Sequence, residues 1–253
     1  MAAGAVEAKP KRRLGDLAIA QRLKEHGACR RGTASHIWFD RGALTSAEMD
    51  EFAGLVDKGI GDICDYLALP ARRRRVIRYY ASAAIELSHT SSLGVFLPIW
   101  RVKRKSAPYL HETAHALAPC DACPLWFSEG FASFVQSYVS ERYGGYDGAV
   151  FSRSGNMGID REASEWLATS RGAEVLRFVG RSAPPPKIAR ERENIAAPFY
   201  VMSHSLVKFL AANVSPEAFR KLLTVTDFTR CLRRITRKSA SEWKRDWLAQ
   251  IAP

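Results

Sequence analysis

Residues 109–136 read YLHETAHALAPCDACPLWFSEGFASFVQ, and this stretch decides how the rest of the chain is read. It opens with His111-Glu112-Thr113-Ala114-His115, an H-E-x-x-H pattern. Side chains four apart on a helix leave the same face, so the two imidazoles can converge on one cation. Glu112 follows the first histidine and can reach a water on that cation. Pro108 starts this helix, which stops near Leu117 before Pro119. Pro124 starts a second helix that runs to about Tyr143, where Gly144-Gly145 breaks it. Glu129 lies on the second helix, after a gap long enough for a hairpin that sets the two helices antiparallel. Gly130 and Ala132 flank it with small side chains that permit close approach of helices. Two imidazoles facing a buried carboxylate are costly without a cation. The expected site therefore has three ligands, His111, His115 and Glu129, and an open position beside Glu112. That is the arrangement of a catalytic zinc centre, with one Zn2+ per chain.

Outward from this pair of helices, the strand signals lie on the amino-terminal side. His36-Ile37-Trp38-Phe39, Arg75–Ala83 and Gly94–Val102 are β-rich runs. Pro98 inside the third predicts an edge strand or a bulge, and an edge strand beside the zinc helix could take an extended peptide as an added strand. Leu14–His26 has helical spacing. Thr45 and Glu48 form a capping box that opens a helix reaching about Leu69. On the carboxyl-terminal side, residues 144–160 read as loop and Ser164–Val179 as moderately helical. Ser182–Ala197, with Pro184-Pro185-Pro186, reads as an irregular connection that could act as a lid. Helices are predicted from Pro198, from Ser215-Pro216, over Asp227–Ile235, and from a second capping box at Ser239 and Glu242. The fold class is α+β, with a small mixed sheet before the zinc helix and a mainly helical carboxyl-terminal half. The pattern predicts a tail over 1–13 and one domain over 14–253, with an α/β lobe at 14–118 and a helical lobe at 119–253.

Composition bounds the function. The chain has 253 residues, 47% of them hydrophobic, enough for a sizeable core. Its net charge is +12, but the basic residues are scattered (Arg72–Arg75, Lys103–Lys105, Arg233-Arg234) and carry no interleaved aromatics. They read as solvated faces, so nucleic-acid binding is the weaker reading. No apolar run approaches the roughly 20 residues of a membrane span, and MAAGAVEAKPKRRLGD lacks the apolar core of a signal peptide. The sequence as written reads as soluble and cytoplasmic, and a processed exported form fits equally. Five cysteines exclude a fully paired framework. Cys120 and Cys123 form a lone C-x-x-C between the two ligand-bearing helices, open to reading as a local disulfide, a redox pair or incidental thiols. His26, His36 and His89 have no partner pattern and read as surface or loop residues.

HETAH followed by PLWFSEGFASF resembles the gluzincin metallopeptidases, most of all their peptidase-MA-like branch, in which H-E-x-x-H precedes a W-x-x-E-G-x-A stretch. The resemblance implies a zincin-like fold, a peptide or protein substrate, His111, His115 and Glu129 as zinc ligands, and Glu112 as general base. It also implies a second donor to the oxyanion from a later helix. Tyr200 and His204, four apart on one face, are the candidates, and Tyr200 matches the usual position better. Two departures stand out. The positions where related families carry a carboxylate that orients the first histidine hold Ser133 and Gln136 here, with Asp121 and Glu141 as possible substitutes. No G-A-M-E-N-like segment precedes the zinc helix, which favours an endopeptidase over an aminopeptidase. The neutral positions motivate a competing reading: a zinc-binding module of gluzincin type without catalysis.

Overall fold

Three short runs rich in apolar and aromatic residues, β-formers buried largely on both faces, build the centre of a five-stranded sheet. In the computed structural model the described residues are 15–69, 76–118, 120, 122–146, 154–181 and 193–251. The strands are β1 (Ala28–Arg31), β2 (Ser35–Phe39), β3 (Ile77–Ser82), β4 (His89–Ser91) and β5 (Gly94–Pro98), in the order β1-β2-β3-β5-β4. The β2–β3 and β3–β5 pairs are parallel; the outer pairs β1–β2 and β5–β4 are antiparallel. Because side chains alternate across a strand, register divides the sheet into two faces. On one face Trp38, Tyr80, Phe96 and His89 stack in a ladder across four strands, with ring centroids 5.3, 4.9 and 5.0 Å apart. Helix α1 (Asp16–His26) covers this face with Ile19, Ala20 and Leu23.

The other face carries Ile37, Phe39, Tyr79, Ala81, Val95 and Leu97, all fully buried. Helix α2 (Ser46–Tyr66) packs there through Phe52, Val56, Ile60 and Ile63, after a capping box in which Thr45 and Glu48 satisfy each other's backbone N–H. Two further helices follow the sheet, α3 (Ile99–Lys103) and α4 (Tyr109–Leu117). Tyr79 anchors α4 to β3. The Thr113 hydroxyl gives its one proton to the Tyr109 carbonyl and accepts from the Tyr79 hydroxyl at 2.6 Å.

The helical half comprises α5 (Leu125–Tyr143), α6 (Gly155–Leu167), α7 (Ser170–Leu176), α8 (Glu193–Asn213), α9 (Pro216–Leu222), α10 (Phe228–Thr236) and α11 (Ala240–Ile251). One continuous buried cluster runs from Ile37 in the sheet to Ile251 in α11. Helix α8 is its axis, with Phe199, Val201, Met202, Leu206, Val207 and Leu210 buried. A span of 19 residues in it, Ile195–Asn213, is long and apolar enough to cross a membrane, contrary to the expectation that no run approaches that length. Here 61% of the window is buried inside the fold, as a core helix requires.

Four further expectations change. On the β5 side of the sheet the edge strand is β4, not β5. Pro98 ends β5, where it opposes Ser82 on β3, and serves as the N-cap of α3, so its missing N–H opens no edge. Residues 144–160 are not all loop: α6 starts at Gly155, because the Glu141 carboxylate of α5 accepts the Asn156 N–H at 2.5 Å. That cap comes from another element, which local spacing does not reveal. Pro198 lies inside α8 rather than at its start, and costs one helical hydrogen bond near the amino end. The buried apolar run that follows offsets this loss. His89 joins the aromatic ladder, and its Nε2 lies 3.0 Å from Asp16 Oδ1. The proposed tail at 1–13, Asp121 and most of the 182–197 connection lie outside the described residues.

Candidate metal centre

Helices α4 and α5 face one another, and in the turn before α5 the sulfurs of Cys120 and Cys123 are bonded to each other. The same sulfurs lie 3.7 and 3.6 Å from the Leu222 carbonyl at the end of α9, which ties the turn to the helical half. Gly130 sets how closely α5 approaches α8. A Cβ there would stand 2.4 Å from the Ser203 carbonyl oxygen and 2.9 Å from Val207, so only glycine fits. This is the local reason for the Glu-Gly pair: the residue beside the carboxylate must have no side chain for α5 to seat against the core.

The seating brings three donors together. Glu129 Oε2 lies 3.1 Å from His111 Nε2 and 3.5 Å from His115 Nε2. The two Nε2 atoms are 3.2 Å apart. Among the described residues these three side chains form the one His/Cys/Asp/Glu group that could hold a metal ion. His111 is 4% exposed, so a free ionic group there would find little water.

The opposite ring nitrogens have hydroxyl partners. Ser133 Oγ is 3.4 Å from His111 Nδ1, and Ser128 Oγ is 3.4 Å from His115 Nδ1. Each hydroxyl can accept an Nδ1–H, which holds the tautomer whose Nε2 lone pair points at the cation site. Ser133 was anticipated as a position; Ser128 was not, although it directly precedes Glu129. Glu141, considered as a partner for the histidines, caps α6 instead. Gln136 is buried on α5.

Glu112 is 5% exposed, and the Thr90 hydroxyl donates to its Oε2 at 2.8 Å. No sequence pattern marked Thr90, which stands in a strand of three residues. The Tyr200 ring lies beside the centre, 5.9 Å from the His111 ring between centroids. His204, one turn along α8, is drawn into a different network. Its Nε2 meets Asn156 Oδ1 at 2.5 Å, its ring stands edge-on to Phe134, and it is 1% exposed. The structure thus brings Tyr200 to the ligand cluster and turns His204 towards α6.

Electrostatics separates these groups. Burial works to raise the Glu129 carboxyl, but its bonds to His111 and His115 and their charges hold it well below the usual carboxylate range. Burial favours neutral His115, yet the hydrogen bond and charge of Glu129 and the charge of Glu112 leave it above the ordinary histidine value. Burial, with Lys208 and His111 adding like charge, pushes His204 down to about 3. The donor cluster therefore keeps an ionised carboxylate at a place where positive charge is favoured.

The chain matches no protein-family model and no curated protein sequence. The chemistry of the centre therefore rests on its own residues.

Proposed function

We propose that the protein is a zinc-dependent peptidase of zincin-like fold that cleaves peptide bonds within a chain. The mutual spacing of the three donors carries this reading. Ligands held at about 2.0–2.1 Å in a tetrahedron stand roughly 3.3–3.4 Å apart. The donors here are separated by 3.1, 3.2 and 3.5 Å. Two imidazoles and one carboxylate form a donor set suited to zinc, and three protein ligands leave a tetrahedral position open. A metal demanding six hard oxygen ligands fits this set poorly.

His111, His115 and Glu129 would hold the zinc, which would supply Lewis acidity there, lowering the pKa of water towards about 7 and polarising a carbonyl. The remaining work falls to the protein. Glu112 takes a proton from the attacking water and returns it to the leaving amine. The Tyr200 phenol, beside His111, donates to the oxygen that gains charge on the substrate carbonyl. The outer side of β4 has no strand neighbour among the described residues and the strand itself packs on α4, so an extended peptide can pair with that edge.

A second reading keeps the metal and drops the chemistry. Its support is that Ser128 and Ser133 hydroxyls stand at the two Nδ1 atoms, and a hydroxyl strengthens a ligand less than a carboxylate does. Glu112→Gln separates the two. On the peptidase reading it retains zinc and abolishes hydrolysis of a mixed peptide library. A zinc-loaded wild type that cleaves nothing in that library leaves the binding module standing.

A further inference from the structure

The candidate ligands, the proposed base and Tyr200 come from α4, α5 and α8, whereas Thr90 reaches the centre from the sheet. It belongs to β4, the outermost strand, and its backbone opposes Val95 of β5. Residues directly opposite in a ladder point to the same side. Val95 lies in the buried face that packs against α2 and α4, so Thr90 points towards the start of α4. His89 before it points to the other side, where it stacks on Phe96 and meets Asp16 of α1. The short edge strand is thereby gripped on both faces, through His89 towards α1 and through Thr90 towards α4.

The Thr90 hydroxyl has one proton and two acceptors within reach. Glu112 Oε2 is at 2.8 Å and the Glu112 backbone carbonyl at 3.0 Å. The carboxylate is nearer and charged, so it takes the proton. Among the described residues this is the one side-chain hydrogen bond to the Glu112 carboxylate. Threonine is branched at Cβ and stiff at χ1, so the hydroxyl is held by a rigid element, whereas the carboxylate ends a flexible side chain.

We infer that Thr90 is a positioning residue, whose hydroxyl fixes the Glu112 carboxylate where a base must stand. Its catalytic consequence rests on the peptidase reading; its geometric consequence does not. A proton acceptor displaced by about 1 Å can lose up to a hundredfold in rate. Because the bond is made to the base and not to the ligands, Thr90 acts on turnover and leaves metal binding alone.

Two variants test this: Thr90→Val, which keeps the shape and removes the donor, and Thr90→Ser, which keeps the donor. Crystal structures of both, solved beside the wild type, are read at Glu112, and turnover is read on zinc-loaded protein. In Thr90→Val the carboxylate leaves its place, kcat falls at least about tenfold with KM and zinc content unchanged, and Thr90→Ser restores both position and rate. A Glu112 carboxylate that superimposes on the wild type in Thr90→Val overturns the inference, whatever the activity. A wild type without peptidase activity overturns the functional reading instead, and the crystal structures still decide the role of Thr90. If Thr90→Val does not fold, Thr90→Ser with a displaced carboxylate also overturns it.

Discussion

Two histidine regions, His111 with the partly buried His115 and the buried His204 alone, differ in what their Nε2 atoms face. His111 and His115 point theirs at each other and at Glu129, with spacings of 3.1, 3.2 and 3.5 Å. His204 points its Nε2 at the Asn156 amide oxygen. Around it Lys208 donates to the Asn156 carbonyl and to Asp160, Ser205 donates to Asp160, and Trp247 donates to Ser205. The second network is complete in itself and joins α6, α8 and α11. The first gathers two ring nitrogens and a carboxylate around one point, a grouping that could hold a metal ion. His111 and His204 are both buried, so burial does not distinguish the two regions; the convergence of metal-ligating atoms does.

The comparison breaks most sharply at a ligand. His115→Ala removes one of three donors and should weaken zinc binding by about a thousandfold, roughly a third of the binding free energy such sites reach. Competition with a chromogenic chelator measures this. His204→Gln should leave that affinity within about twofold, because the side chain belongs to the other network.

His204 should appear in stability instead. Its pKa in the fold is about 3, against an ordinary value of 6.5. Below pH 6.5 the unfolded chain binds a proton that the fold refuses, so stability falls as pH drops from 6.5 towards 3. Above 6.5 this group contributes no pH dependence. The slope is about 1.4 kcal/mol per pH unit, or about 3 kcal/mol by pH 4.5. Urea unfolding of wild type and His204→Gln across this range should differ by an amount that changes with pH. A constant difference would mean that His204 is not held neutral.

Gly130 belongs to both regions, since it seats the ligand helix against α8. Gly130→Ala places a methyl group on the Ser203 carbonyl and should cost about 1–3 kcal/mol of stability. It should also weaken zinc binding, because α5 carries Glu129. Thermal unfolding with and without zinc separates the two effects. The smallest effect belongs to Ser133→Ala, which removes the hydroxyl near His111 Nδ1 and should lower zinc affinity about tenfold while the fold stays intact. An unchanged affinity would mean that the hydroxyl does not orient the ring.

The chain displays the candidate metal centre because its three donor residues are close in sequence and the histidines follow helical spacing. His111, His115 and Glu129 could be named from four-residue periodicity and a Gly-flanked carboxylate. Helix starts at Thr45, Ser215, Asp227 and Ser239 were legible because the cap and the helix it serves are neighbours in the chain. What stayed hidden depends on contacts between distant segments. The α6 start needs Glu141 from α5, and the edge of the sheet is set by β4, three residues with no alternating pattern. Thr90 is silent for the same reason: its partner lies 22 residues away, across a strand-to-helix contact. The sequence placed Tyr200 and His204 on one helical face, but one turn along α8 the neighbours change: Tyr200 lies beside His111 and His204 meets Asn156 of α6.

Metal content of the purified chain tests the central claim most directly. The protein equilibrated with zinc and then freed of excess metal should retain about one zinc per chain, and His111→Ala treated in the same way should retain almost none. A wild type that holds no zinc, or a His111→Ala variant that holds as much as the wild type, would contradict the account.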